Sequence, residues 1–306
     1  MNGLGAAGLL RLQLTLICYV AIGFLCRKRG ILNDLSERNL ADAIILLVLP
    51  CTIFNAMLEG LAQVDWALAG VTVIAVIIIH FCAYFLGLAI FGRYEAPQRA
   101  VCIFGMLVNN AAFIGLPMVS AAFGAEGVFY TTIFMTVSRV FMWTIGLHLF
   151  NKDDKRNPVF VVLTNPNTIA MFLALFVYYL LPFELPLFLG SAIRGIAGTS
   201  NVLCMVMIGS LLTGLHKGDI FQSKVFIYTT IRLIAFPLAV FFALRILHMD
   251  PFLTGVLTLL VSAPGPTTGS VMATKYHGDK RLAATTTMFS TLASIITMPL
   301  LSLLFL

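Results

Sequence analysis

Long apolar runs alternate with short polar connections along the whole chain. Each run is roughly 20 residues long, which is enough for an α-helix to cross a hydrocarbon core of about 30 Å. Backbone groups in lipid must be paired within their own segment, so the runs predict membrane-spanning helices. The predicted spans are 9–26, 40–58, 66–91, 100–122, 127–150, 167–181, 191–214, 225–247, 252–274 and 282–305.

The composition supports this interpretation. Of the 306 residues, 60% are hydrophobic and 10% are charged, and the mean hydropathy is +0.99. Soluble domains carry about 25% charged residues. The chain is therefore predicted to be an all-α integral membrane protein with ten transmembrane helices.

The basic residues predict the orientation of the helices. Lysine and arginine occur in every second connection, and the intervening short connections contain neither. Under the positive-inside rule, both termini then lie on the extracytoplasmic side of the cell membrane. The first run precedes its basic residues, which predicts a retained helix rather than a cleaved signal. The basic connections are 27–38, 93–99, 152–156, 217–224 and 275–281.

The polar segment NKDDKRN at 151–157 divides the chain into halves of five spans each, 1–151 and 152–306. An odd number of crossings inverts the second half relative to the first, an arrangement typical of secondary transporters. The fifth spans carry similar sequences, TTIFMTVS at 131–138 and TTMFSTLA at 286–293. The sequence thus predicts two inverted five-helix repeats.

Helix breakers occupy the fourth span of each half. Proline has no amide hydrogen and clashes with the carbonyl four residues earlier, so Pro117 releases the carbonyl of Phe113, and Pro264 releases that of Leu260. Such groups are tolerated in a membrane only where protein, water or a ligand meets them. Ordinary proline kinks are the alternative, and we assign that role to the single prolines Pro50, Pro237 and Pro299. The predicted crossover breaks in spans four and nine are Gly115, Pro117, Pro264, Gly265 and Pro266.

Two broken helices crossing at mid-membrane would form a small polar chamber whose positive half-helix ends favour an anion. Amides and hydroxyls beside the breaks would bind it, and one asparagine in the second span of each half would line the chamber from the other side. The candidate substrate ligands are Asn109, Asn110, Thr267, Thr268, Ser270, Asn55 and Asn201.

Ionisable groups inside the spans are few. No aspartate or glutamate lies deep in a span, which argues against a carboxylate-based cation pump. Arg139, near the middle of span five, either holds a substrate carboxylate or satisfies released carbonyls. Arg232 is expected to snorkel toward the membrane surface, and His80 is expected to be a helix-packing histidine. The same snorkelling is expected of Arg11, Arg194 and Arg245, and close helix approach is expected at Gly195 and Gly198.

The spacing N-x4-G-x-P at Asn110, Gly115 and Pro117 resembles the auxin efflux carrier family. The Ala263-Pro264 pair, LVLPCTIF at 47–54 and STLASIITMPL at 290–300 extend the resemblance over essentially the whole chain. The family includes plant auxin exporters and bacterial permeases for malate and malonate. Arg139 has no counterpart in the second half, where Ser294 or a neighbour stands.

The resemblance implies a fold like that of sodium-proton antiporters and bile acid symporters. Helices 1, 2, 6 and 7 would form a scaffold, and helices 3–5 and 8–10 a transport domain whose crossed helices four and nine hold the substrate. By resemblance, Asn110 would contact the substrate carboxylate. The central loop is short, so regulation by phosphorylation of that loop is not expected.

These observations predict a secondary transporter of a small organic anion, either a dicarboxylate such as malate or malonate or an auxin-like aromatic acid, working by an elevator-type mechanism. An ion-coupled symporter for another solute and a membrane-embedded sensor are the alternatives. No HExxH, GxSxG or paired-carboxylate motif suggests an enzyme. The expected partners are the anion and the lipid bilayer, with a homodimer left open, and we expect no nucleic acid, metal or cofactor.

Overall fold

A computed structural model of the chain describes residues 6–61, 65–151, 157–180, 185–214, 222–276 and 278–305, and these residues form helices and connections without any strand. The helices of the first half are α1 Ala6–Lys28, α2 Asp34–Ala43, α3 Leu49–Leu61, α4 Trp66–Phe91, α5 Ala96–Leu107, α6 Leu116–Phe141 and α7 Leu147–Phe150. Those of the second half are α8 Pro158–Leu163, α9 Pro166–Leu180, α10 Leu187–Gly198, α11 Ser200–Leu211, α12 Ser223–Thr230, α13 Phe236–Ile246, α14 Pro251–Val261, α15 Thr267–Lys275 and α16 Lys280–Ser302.

Several helical stretches are long and apolar enough to cross a membrane. Within the described residues there are six such stretches, and the shorter apolar helices α9 and α14 add to them. They agree with a multi-pass membrane protein, as the hydropathy pattern predicts. The six are Asp34–Leu61, Trp66–Phe91, Ala96–Phe150, Leu187–Leu211, Ser223–Ile246 and Lys280–Ser302.

The stretch Ala96–Phe150 is too long for a single crossing. Its 55 residues would extend about 80 Å as one helix, far beyond a hydrocarbon core of about 30 Å. Two features divide it: residues 108–110 are not helical, and Gly124 has φ +65° and ψ −156°. Positive φ is readily adopted only by glycine. Gly124 therefore interrupts the helix, in the connection predicted between spans four and five.

Three of the membrane prolines lie just after a widened, π-helical turn. The turns Ile44–Val48, Ala111–Gly115 and Ile231–Ala235 each end two residues before Pro50, Pro117 or Pro237. In each, the amide of the residue preceding proline donates to the carbonyl five residues back instead of four. Such turns accommodate a proline without opening the helix. The expected kinks at Pro50 and Pro237 thus take the form of π-turns.

Helices α1 and α11 pack backbone against backbone. A Cβ atom added to Gly23 would lie 1.9 Å from the Val206 carbonyl oxygen, and one added to Gly209 would lie 1.9 Å from that of Val20. Close approach was expected at Gly195 and Gly198 instead, and that expectation was wrong: a Cβ at either position meets nothing within 4 Å. Both of those glycines are exposed on α10.

The helices fall into two groups by contact. Helix α3 packs on α9 and α10, and α1 packs on α11. A second set of contacts joins α4 to α5 and α6, α13 to α14, α14 to α6, and α15 to α16, and the two sets meet where α3 packs on α6. The second group contains both interrupted segments, so the interruptions lie within one packed unit.

Candidate functional site

The two interrupted segments touch each other directly. Helix α5 ends at Leu107, and the chain is extended at Val108 before it turns helical again at Ala111. Helix α14 ends at Val261, and α15 begins at Thr267. Across the gap, the Asn110 backbone N–H donates to the Pro264 carbonyl oxygen at 2.9 Å. This hydrogen bond joins the two interruptions.

The breaker residues occupy different positions in the two segments. Pro264, Gly265 and Pro266 lie within the second interruption, between α14 and α15. In the first segment, the non-helical residues are 108–110, so Gly115 and Pro117 come after the interruption, in the π-turn and the first turn of α6. A Cβ at Gly115 would lie 3.1 Å from the Leu260 side chain, so this glycine packs against the second segment.

Asn109 pairs with a carbonyl that proline releases. Its side-chain Nδ2 donates to the Leu260 carbonyl oxygen at 2.7 Å, and Pro264, four residues after Leu260, has no amide hydrogen to offer. The Leu260 carbonyl also accepts from the Ala263 N–H at 3.1 Å, and the Asn109 carboxamide supplies the donor that residue 264 lacks. One of its two amino hydrogens is committed to the backbone.

Asn110 caps the half-helix that follows it. The side chain is 6% exposed, and its Oδ1 accepts from the Phe113 N–H at 3.4 Å. The Asn110 carbonyl accepts from the Ile114 N–H at 3.1 Å. Within the described residues, the side-chain amino group donates no hydrogen bond. Asn110 therefore presents a donor at the N-terminal, positive end of a half-helix.

Helix α16 fastens the second interruption through two hydroxyls. The Gly265 N–H donates to Ser290 Oγ at 3.1 Å, and Thr287 Oγ1 donates to the Pro266 carbonyl at 3.2 Å. Beyond the gap, Thr267 and Ser270 are half-buried. Thr268 is exposed, and its hydroxyl lies 4.0 Å from the Met142 sulfur.

Ser290→Ala is expected to destabilise the protein by about 1–3 kcal/mol, because the Gly265 N–H would be buried without an acceptor. A lowered Tm would report this loss. Ser302→Ala is the matched control, since the Ser302 hydroxyl donates to the carbonyl of Pro299 in its own helix and, within the described residues, to no other helix. Equal Tm values for the two variants would contradict the role assigned to Ser290.

Three other candidate ligands lie away from these contacts. Asn55 donates to Glu59 at 3.0 Å along its own helix, and Asn201 is half-buried in α11. Arg139 is half-buried on α6, next to Ser138. In the part of the chain that the structure describes, none of the three hydrogen-bonds to an interruption.

Arg232 lies deep in the protein beside the first interruption. The expectation that it snorkels was wrong: its side chain is 2% exposed, in the π-turn near the middle of Ser223–Ile246. It lines a cavity of about 10 Å³ together with Asn109 and His80. The π-turn before Pro237 places it there, and a proline kink next to an intramembrane arginine was the sequence signal that could have indicated it.

His80 is paired on both ring nitrogens. Nδ1 lies 2.7 Å from the Val76 carbonyl oxygen, and Nε2 lies 2.8 Å from Ser138 Oγ. A carbonyl only accepts, so Nδ1 carries the hydrogen and Nε2 accepts from the serine. The ring also stacks on Phe141, with centroids 4.9 Å apart. The histidine joins α4 to α6, as expected of a packing residue.

A second cavity, of about 40 Å³, lies where α1 and α11 meet α6 and α16. Its wall includes Ile114 from the turn after the first interruption and the hydroxyl residues Thr291 and Ser294. The remaining lining is apolar, with Leu16 and Met205 among it. This cavity lies between helices of the two groups, next to the first interruption.

Comparisons with known proteins identify similar membrane transporters. A family model described as membrane transport protein matches residues 10–162 and 160–302. An uncharacterized transporter of Methanocaldococcus jannaschii, MJ1031, is 23% identical over 299 residues, covering 94% of this chain and 96% of the relative. The uncharacterized transporter YfdV of Escherichia coli is 21% identical over 300 residues, covering 94% of each chain.

Proposed function

The chain belongs to the membrane transport protein family, that of the auxin efflux carriers, and from this premise we propose that it is a secondary transporter of a small organic anion. The substrate class is a carboxylate or dicarboxylate, such as malate or malonate, or an auxin-like aromatic acid. The observation that carries the proposal is the joined pair of helix interruptions in which the Asn110 N–H meets the Pro264 carbonyl.

The electrostatics at the two joined interruptions favour an anion. The half-helix that begins at Ala111 and helix α15 both start at the interruptions, and helix N-termini carry partial positive charge. Asn110 adds an amide donor, and Thr267, Thr268 and Ser270 add hydroxyls on the first turn of α15. In this proposal those residues bind the carboxylate. Asn109 holds the two interrupted segments together. Asn55, Asn201 and Arg139 join the site only when the helices move.

The packing supports a ten-helix arrangement with inverted halves, 1–151 and 152–306. The contact between α1 and α11 joins helices one and seven, and the contact between α3 and α9 joins helices two and six. In an inverted repeat of five helices, helix one corresponds to helix six and helix two to helix seven. The contact of helices one and seven therefore corresponds to that of helices six and two. Helices 1, 2, 6 and 7 would then form the scaffold, with both termini outside the cytoplasmic membrane.

The same division supports an elevator-type movement. Both interruptions and α16 lie in one packed unit, and the cavity of about 40 Å³ lies between that unit and helices α1 and α11. Sliding of the unit along this boundary would carry the bound anion across the membrane. A symporter of the same fold for another solute is the second candidate, and a sensor the third.

Flux of labelled organic acids into proteoliposomes tests the function. Uptake that saturates with malate, malonate or an aromatic acid is the expected result. Binding without flux would indicate a sensor, and hydrolysis without flux would indicate an enzyme. Transport of a neutral solute with no response to any acid would contradict the proposal.

Arg139→Gln distinguishes a ligand from a packing residue. If Arg139 reaches the substrate during transport, the variant is expected to bind dicarboxylates at least about tenfold more weakly, since a charge-assisted bidentate contact is lost. Monocarboxylates would be affected less. Thermal shift with malonate and acetate measures both, and equal weakening of the two would assign Arg139 a structural role.

A further inference from the structure

Arg232 is a buried cation in the wall of a small cavity. Its side chain is 2% exposed, and within the described residues its Nε has no hydrogen-bond partner. A charge removed from water is costly unless nearby groups of opposite sign offset the loss. The residues lining the cavity include no aspartate or glutamate. The offset must therefore come from uncharged groups.

Two of the residues lining this cavity have lost their helical hydrogen-bond donors. The Asn110 N–H, which would continue α5 by bonding to Met106, donates to Pro264 instead. In the second segment, the Gly265 N–H, which would continue α14 by bonding to Val261, donates to Ser290. Met106 and Val261 both line the cavity with Arg232. Their carbonyl groups end two helices.

Helix C-termini carry partial negative charge. The cavity therefore lies at two negative ends, those of α5 and α14, while the positive ends of the following half-helices begin beyond the interruptions. In broken-helix transporters, such C-terminal ends and unwound carbonyls coordinate a driving Na⁺. Here Arg232 lines the same cavity as Met106 and Val261, the residues at those two ends.

His80 adds no charge to the cavity. Its Nδ1–H donates to Val76, and its Nε2 accepts from Ser138, so both nitrogens are used by the neutral ring. The other lining residues besides Asn109 are apolar: Ile79, Ala83, Met106, Leu107, Phe134, Phe236 and Val261. Among all the residues that line the cavity, Arg232 is therefore the one that brings a formal charge to the two helix ends.

We propose that Arg232 is a tethered cation that occupies the position of a coupling ion, so that the anion site is complete without bound Na⁺. The consequence for transport rests on the proposed function. Arg232 acts as a positioning residue: it neutralises the two C-terminal ends and thereby keeps the interruptions crossed and the positive ends available to the anion. Binding of the anion then requires no second, soluble ion.

The test begins with the purified unmodified protein in sodium chloride and in choline chloride. Its Tm and its thermal shift with malonate are expected to be the same in both salts, within about twofold in apparent affinity. Arg232→Ala is expected to lower the Tm and weaken malonate binding by about tenfold or more. Millimolar methylguanidinium is expected to restore much of both losses, because it fits the vacated space with the same charge.

Two further variants complete the design. Arg232→Lys keeps the charge and is expected to retain most of the binding. Arg194→Ala removes an exposed arginine whose partner is Ser191, and it is expected to respond to neither methylguanidinium nor sodium. A response of Arg194→Ala equal to that of Arg232→Ala would show a general effect of the additive and overturn the inference.

The outcomes separate this inference from the proposed function. If no organic anion binds, the proposed function fails, and the Tm of Arg232→Ala with and without methylguanidinium still tests the tethered cation. A folded Arg232→Ala protein with unchanged Tm and binding would overturn the inference. If that variant does not fold, the unmodified protein and Arg232→Lys decide: Na⁺-dependent binding, or loss of binding in the lysine variant, overturns it.

Discussion

Asn110→Ala is expected to abolish the thermal stabilisation that an organic anion gives the protein, while the protein stays folded. The fold survives because the hydrogen bond across the interruptions uses the backbone N–H of residue 110, which alanine keeps. The side chain contributes only the 3.4 Å cap to Phe113, and loss of such a cap costs about 0.5–2 kcal/mol. The anion, by contrast, loses the amide donor at the positive helix end.

Asn157→Ala is the matched control for this experiment. Asn157 also caps a helix, accepting from the Val159 N–H at 3.0 Å, and it lies at the start of α8. The control is expected to show a comparable drop in Tm with an undiminished anion response. A normal anion response in Asn110→Ala would remove this residue from the binding site.

Gly23→Ala is expected to destabilise the protein strongly, and Gly209→Ala likewise. The new Cβ would lie 1.9 Å from a backbone carbonyl oxygen of the facing helix in either case. A backbone atom cannot rotate away, so α1 and α11 must separate, and overpacking of this kind costs about 1–3 kcal/mol or more. Tm and the yield of monodisperse protein measure the effect.

Gly195→Ala is the control, because its Cβ meets nothing within 4 Å. Alanine in an open helix position is favoured over glycine by about 1 kcal/mol, so this variant is expected to be as stable as the unmodified protein or more so. A Gly23→Ala protein that melts like the control would show that α1 and α11 are not in backbone contact. The proposed scaffold would then lose its closest helix pair.

Much of the fold could be predicted from local properties of the sequence. Runs of apolar residues long enough to cross lipid predict helices wherever they occur, and within the described residues six such stretches and two shorter apolar helices are found. The break at Gly124 and the second interruption also follow from local backbone properties, the conformational freedom of glycine and the restriction that the two prolines impose. None of these features depends on contacts with distant parts of the chain.

The first interruption shows where this reasoning stops. Proline spacing placed the break near Gly115 and Pro117, yet a π-turn accommodates Pro117 and the helix opens at 108–110. The helix opens there because the Asn110 amide has a partner in Pro264, far along the chain. Likewise, counting residues from the membrane surface put Arg232 in a snorkelling position, although its neighbours bury it.

The sequence by itself determined the helices, the polar asparagines and the broken segments, because hydropathy and backbone restriction act over a few neighbouring residues. Only the tertiary structure decided which carbonyl each free donor meets. Asn109 and Leu260 are 151 residues apart, and no local pattern records such a pairing. The position of Arg232 at two helix ends is likewise absent from any local pattern, since it arises from the packing of three separate segments.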